Sequence, residues 1–406
     1  MSQQESSLDT AIIKPSEAER LVIFYGGFDP RGARHYHQLM QQEAAKQTKV
    51  ADADYFVGAR ERWKSGVEAG LKHSAWSVKN GAESASEYVF FDWSDQVRGN
   101  WPKKTWQVML QALKTYADVW QARACLPEVN KQAPYTLWTL AYPLVYMALC
   151  LLLALFAGLG FYLAIPGWLG VLAGLFAGLG LLTIGYKLDQ VLHVSWLLRI
   201  LNFAPQAAEQ PMAELRQRME QTAEVLAQQM HQGRWREVVV VGFSVGSAMA
   251  VPFVDLLRSK LELRAEDPLK IHFLTLGNCI PLFALMPKAV ELRQQLLALA
   301  EDRRVYWTDI SSPSDSVSFG MCDVLGLSLR EIPPQQRKSW VNPRNMCSPR
   351  FHKLFQPSSY RWLRRNKMRM HFQYLMAAEL PGAYDYFAML TCKGLLRDYI
   401  EKRLVR

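Results

Sequence analysis

The chain has 406 residues, half of them hydrophobic, and a formal net charge of +10. That length excludes one small domain and allows one large, decorated one. The basic residues are scattered or flank an apolar run, which points away from nucleic acid and toward a membrane surface.

Residues 1–20, MSQQESSLDTAIIKPSEAER, are polar. They lack the basic-then-apolar pattern of a secretory leader and read as a flexible N-terminus. LVIFY at 21–25 is a buried-strand run that stops at a turn, GGFDP, at 26–30. Helical character follows at 33–46, a second aromatic and β-branched run, YVFFDW, at 88–93, and a helix at 101–122. Residues 51–86 are mixed and specify no element.

Residues 132–186, a run of 55, contain no Asp, Glu, Lys or Arg. One helix crosses the hydrocarbon with about 20 apolar residues, so this length suits two spans. Ile165-Pro166-Gly167 is the expected break, between spans at 137–163 and 168–186. Trp138, Tyr142, Trp168 and Tyr186 are placed for the two interfaces. A hairpin returns the chain to its starting side. Lys114, Arg123 and Lys131 before it, with Lys187 and Arg199 after it, put both soluble parts in the cytoplasm, at an inner membrane of the bacterial type. Gly170, Gly174 and Gly178 form small-xxx-small steps. They suit close packing inside the hairpin or a homodimer through that face. No ionisable side chain of these kinds lies within the spans, so the hairpin reads as an anchor rather than a channel.

Residues 187–210, including KLDQVLHVSWLLRILNF, are amphipathic and suit either the membrane interface or packing on the soluble domain. Pro211 opens a polar helix over 212–232. Strands at 237–241, 271–276 and 304–310 then alternate with helices at 246–257 and 290–299. Such alternation predicts an α/β fold with a mostly parallel sheet and flanking helices, interrupted by the transmembrane hairpin. Residues 21–131 and 211–406 are expected to supply one sheet together. The proline-rich stretch at 322–361 is either a lid or a surface excursion. RWLRRNKMR at 361–369 is the densest basic cluster, and is either a solvated face or a contact for anionic headgroups. Six irregularly spaced cysteines read as reduced thiols in a reducing compartment.

The chemistry centres on VVVVGFSVGS at 238–247. A bare G-x-S-x-G arises by chance about once per ten chains of this length. Its setting raises it: four valines precede it, and a small-residue helix follows. A strained strand–turn–helix elbow that exposes a serine needs small neighbours, and Gly242, Gly246, Ser247 and Ala248 meet that need. The helix start aims N–H groups toward a developing oxyanion.

On these residues the chain resembles the serine hydrolases of the α/β-hydrolase fold, of the lipase and esterase kind. The resemblance covers the soluble parts. It implies the chain order nucleophile, acid, base, and an oxyanion loop after an early strand. Ser244 then fills the nucleophile position. Asp315, in the loop just past RVYWTDI, fills the acid position; Asp309 lies within the strand and Asp323 further along. His371 in MRMHFQYL is expected as the base, with His352 the other histidine after Asp315. Gly27, Phe28 and Val245 would supply the oxyanion N–H groups. Tyr25 and Phe243 stand where many lipases carry histidine. No metal, nucleotide or other cofactor is implied, and the chain has no H-E-x-x-H and no G-x-x-x-x-G-K. The resemblance implies an anchored serine hydrolase acting on an ester or thioester, with a membrane lipid as the natural substrate class. The alternatives are an inactive hydrolase-fold scaffold of a membrane assembly and an acyltransferase with the same triad.

Overall fold

The computed structural model describes residues 19–63, 71, 73–82, 84–209, 212–261 and 271–405. The expected flexible N-terminus, apart from its last two residues, and the helix-opening Pro211 lie outside them.

Nine strands form one mixed sheet. They are β1 (Arg20–Tyr25), β2 (Tyr55–Val57), β3 (Glu61–Arg62), β4 (Ser74–Asn80), β5 (Ser84–Phe90), β6 (Glu237–Phe243), β7 (Ile271–Leu276), β8 (Val305–Ile310) and β9 (Asn345–Cys347). Their order is β2-β4-β5-β1-β6-β7-β8-β9, with β3 beside β4. The six strands from β5 to β9 in that order run parallel, while β2, β3 and β4 join antiparallel. Residues from both sides of the apolar hairpin therefore build one sheet. The chain moves from β1 to one side as far as β5, then crosses to β6 on the other side. Such a switch point in a parallel sheet opens a crevice at the strands' carboxyl ends.

The valines of β6 explain its place at the centre. Successive strand side chains face opposite ways. Val238 and Val240 enter one core layer, and Val239 and Val241 enter the other. Leu21, Ile23 and Tyr25 of β1 join the first layer, and Val22 and Phe24 the second. A strand buried on both faces must be apolar throughout, which is the pattern of parallel sheets.

Sixteen α-helices lie among the described residues. Those used below are α1 (Gly32–Ala51), α2 (Pro134–Ala164), α3 (Trp168–Leu192), α4 (Val194–Glu209), α5 (Val245–Lys260), α6 (Pro357–Arg365) and α7 (Lys367–Phe372). Helices α2 and α3 are long and apolar enough to cross a membrane. Their windows are only 6% and 17% buried, unlike the core helix of a globular domain. The break falls at 165–167 as expected, whereas α3 runs beyond Tyr186 to Leu192. A Cβ on Gly174 would lie 2.5 Å from the Gly158 carbonyl oxygen, so this glycine face is pressed against α2 within the chain. Of the two expectations for residues 187–210, packing on the soluble domain holds for α4. Val194, Leu198, Leu201 and Ala204 are buried in the core that also covers β6.

The stretch 51–86, which specified no element, carries β2, β3 and β4. The stretch 322–361 contains β9, which pairs with β8, so part of it is sheet. The three residues of β9 are too few to announce a strand, and their pairing comes from β8.

Candidate active site

The parallel strands bring several loops to one edge. Tyr25 of β1 is level with Gly242 of β6, so two residues further on Gly27 reaches Ser244. A Cβ on Gly27 would lie 3.2 Å from the Ser244 Cβ. Beside them β7 ends in Asn278-Cys279, and β8 ends in the loop that carries Asp315.

Ser244 has φ 57° and ψ −128° between β6 and α5. A non-glycine residue in such a conformation costs on the order of 1–3 kcal/mol, and the surroundings must enforce it. Two glycines make the turn fit. A Cβ on Gly242 would lie 2.5 Å from the Ser247 Cα, and one on Gly246 would lie 2.2 Å from the Tyr25 carbonyl oxygen. The turn is then fastened. Ser244 N–H donates to Leu276 O at 3.0 Å. Ser247 Oγ donates to Ser244 O at 2.5 Å and accepts from Cys279 N–H at 3.0 Å.

Ser244 Oγ lies 2.7 Å from His371 Nε2, and His371 Nδ1 lies 2.8 Å from Asp315 Oδ2. All three side chains are buried. Burial alone would raise the Asp315 carboxyl, but the facing His371, Ser318 and the Val317 N–H overcome it and hold it below the usual range. The carboxylate is therefore an acceptor, His371 Nδ1–H donates to it, and Nε2 is left to accept the Ser244 proton. Phe243 packs its ring 5.1 Å from the imidazole, and Phe372 closes on Phe243. This arrangement can move a proton from a hydroxyl to an imidazole while a carboxylate holds the tautomer.

All six residues singled out from the sequence meet here or adjoin it. Ser244, Asp315 and His371 form the hydrogen-bonded chain. Gly27 touches Ser244. Phe28 follows it, with its ring stacked 4.6 Å from Phe203. Val245 is the first residue of α5, where an N–H has no partner within the helix.

The competing residues serve elsewhere. Asp309 accepts from Thr275 Oγ1 at 2.6 Å, Asn278 Nδ2 at 2.8 Å and Ser311 Oγ at 2.8 Å. Burial pushes its carboxyl up to about 6 against those three donors. Asp323 caps a short helix through the Gly326 N–H at 2.8 Å. His352 is exposed beside Tyr360. Tyr25 turns its ring into the core against Phe91, 4.4 Å away.

The sequence reading overlooked two neighbours. Cys279 Sγ lies 3.9 Å from Ser244 Oγ. Burial pushes its thiol up to about 12, so it stays protonated beside the serine. Tyr374 accepts the Ser312 N–H at 2.8 Å, and its ring fits against Gly277, which has φ 53°. The signal for Cys279 was its place just past the strand next to VVVV. Tyr374 had none. Among the described residues no cluster of three His, Cys, Asp or Glu is arranged to hold a metal.

No protein-family model matches this chain, and neither a curated protein nor a solved structure matches it.

Proposed function

We propose that this chain is a membrane-anchored serine hydrolase of the α/β-hydrolase kind that cleaves an ester or thioester. The observation that carries the reading is the Ser244–His371–Asp315 hydrogen-bonded chain, built on a strained turn at the carboxyl edge of a parallel sheet. The chain order serine, aspartate, histidine supports the same reading.

The substrate's carbonyl carbon sits against Ser244 Oγ. Oγ attacks it as His371 Nε2 takes the hydroxyl proton, and Asp315 stabilises the resulting imidazolium. The N–H groups of Val245 and of Gly27 or Phe28 face the oxygen on which charge develops. The tetrahedral intermediate collapses, and His371 gives its proton to the departing alcohol or thiol. Water then attacks the acyl-serine, His371 takes a proton from it, and the acid leaves as Ser244 is reprotonated. Strain at Ser244 and burial of the relay are reasonable costs for a preorganised site. The length and exposure of α2 and α3 support a membrane anchor for this domain, and the cationic flanks support a cytoplasmic side for it.

A fluorophosphonate probe tests the reading. Full-length protein in detergent or nanodiscs should be labelled at Ser244, and Ser244→Ala should not. Well-folded wild-type protein that resists labelling would instead support an inactive scaffold.

A further inference from the structure

We propose that a cavity between the base of the hairpin and the Asp315 loop is the entry site for an anionic phospholipid, which is the ester substrate of Ser244. The inference rests on the hydrolase reading for its catalytic half. The cavity encloses about 730 Å³. The near end of α2 lines it with Trp138 and Tyr142, and the matching end of α3 with Leu192. Its other walls come from Ser316 and Val317, directly after Asp315, and from Arg365 and Lys367 where α6 passes into α7. The α7 segment then leads to His371.

One side chain, Cys279, separates the cavity wall at Val317 from Ser244. The Val317 carbonyl lies 3.8 Å from Cys279 Sγ, which lies 3.9 Å from Ser244 Oγ. The hairpin is fastened to the same wall, because Thr136 Oγ1 donates to Ser318 O at 2.6 Å. The base of α2 thus presents aromatic surface, and the base of α3 aliphatic surface, to a chamber one side chain away from a buried serine.

Its polar groups select the headgroup. No Asp or Glu is among the lining residues. Arg365 and Lys367 are exposed and have no ion-pair or hydrogen-bond partner among the described residues. Ser316 is 95% buried, yet its Oγ has no hydrogen-bond partner. A buried hydroxyl without a partner is costly unless a ligand satisfies it. Two cations, a hydroxyl and an aromatic wall fit one lipid molecule. The phosphate takes the cations, an ester or phosphate oxygen takes Ser316 Oγ, and an acyl chain lies along the span ends. The basic segment 361–369 thereby contacts an anionic headgroup rather than only solvent. Cleavage transfers the acyl group to Ser244 Oγ, the glycerol oxygen leaves with the proton from His371, and water releases the fatty acid.

The experiment separates binding from turnover. Full-length Ser244→Ala protein in nanodiscs is irradiated with phosphatidylglycerol or phosphatidylcholine carrying a diazirine in one acyl chain. Adducts should fall on peptides containing Trp138 or Leu192, with phosphatidylglycerol favoured by roughly thirtyfold, the effect of two cations at an anionic headgroup. Arg365→Gln with Lys367→Gln should remove that preference while the thermal melt of the protein stays unchanged. Equal adducts from the two lipids, or a preference indifferent to the double change, overturns the proposal. Selective adducts beside a wild-type serine that never labels would overturn its substrate half and locate the failure in the hydrolase reading.

Discussion

The hairpin and the carboxyl edge of the sheet solve the same packing problem in different ways. Each brings backbones together through glycine, at Gly174 against Gly158 and at Gly246 against Tyr25. In the hairpin the partners are two regular helices joined by three residues, 165–167. At the edge, residue 27 meets residue 244, and residue 315 meets residue 371, from segments far apart in the sequence. The edge alone combines a positive-φ serine, a buried carboxylate and a buried imidazole. Strain and buried polarity gathered in one place mark where a fold has traded stability for chemistry, whereas regular apolar packing marks support.

The largest expected effect separates two carboxylates at that edge. Asp315→Asn should lower hydrolysis of a water-soluble ester by on the order of 10⁴-fold, because the amide favours the wrong imidazole tautomer. Asp309→Asn, six positions earlier, should change it by less than about tenfold, since Asp309 holds Thr275, Asn278 and Ser311 and not His371. Steady-state rates of both variants decide the matter. Equal losses would mean that the relay extends through Asp309.

Glycine substitutions test the division between the regions directly. A Cβ at Gly246 would meet the Tyr25 and Gly26 carbonyl oxygens at 2.2 and 2.4 Å, and backbone cannot yield there. Gly246→Val should therefore cost about 3 kcal/mol or more of stability and abolish fluorophosphonate labelling. Gly174→Leu meets the Gly158 carbonyl oxygen at 2.5 Å and should force the spans apart. Labelling at Ser244 should stay within about twofold, because Gly174 lies within the span while the hairpin meets the wall of the site only near its base, at Thr136. Thermal melts followed by residual labelling measure both variants. Loss of labelling in Gly174→Leu would join the two regions into one unit.

The same contrast explains what the sequence made legible. The hairpin and β6 declare themselves locally, by absence of charge and by four valines buried on both faces. Ser244, Asp315 and His371 could be named because each follows a readable element in a fixed order. The strand β4, SAWSVKN, alternates buried and half-exposed residues, but with Ser74 on its buried face and Ala75 on the other, that alternation shows little contrast of polarity in the sequence. Cys279 and Tyr374 reach the site only through the β6–β7 register and a turn at Gly277. Such neighbours are set by tertiary packing; the strand end before Cys279 was the one sequence signal for them, and no local pattern carries Tyr374.

The smallest effect is a difference in the sign of a pH dependence. Asp309 has a folded pKa near 6 because burial outweighs its donors. Between about pH 4 and 6 the folded chain keeps a proton there that the unfolded chain has lost, so its contribution to stability falls as pH rises. The whole effect is roughly 3 kcal/mol for two pKa units, and Asp309→Asn should remove it. Asp315 is held below its usual range, so its contribution is present above the ordinary carboxylate range and is lost as pH falls through the depressed folded value. Urea midpoints of wild type and the two asparagine variants, from pH 3 to 7, should give difference curves of opposite slope. Residues 132–186 add nothing to either curve, since they contain no Asp, Glu, His, Lys or Arg. Curves of the same slope would mean that Asp309 ionises in the folded chain as readily as Asp315, and that the edge holds two carboxylates of one kind rather than one that is charged throughout beside one that keeps its proton up to about pH 6.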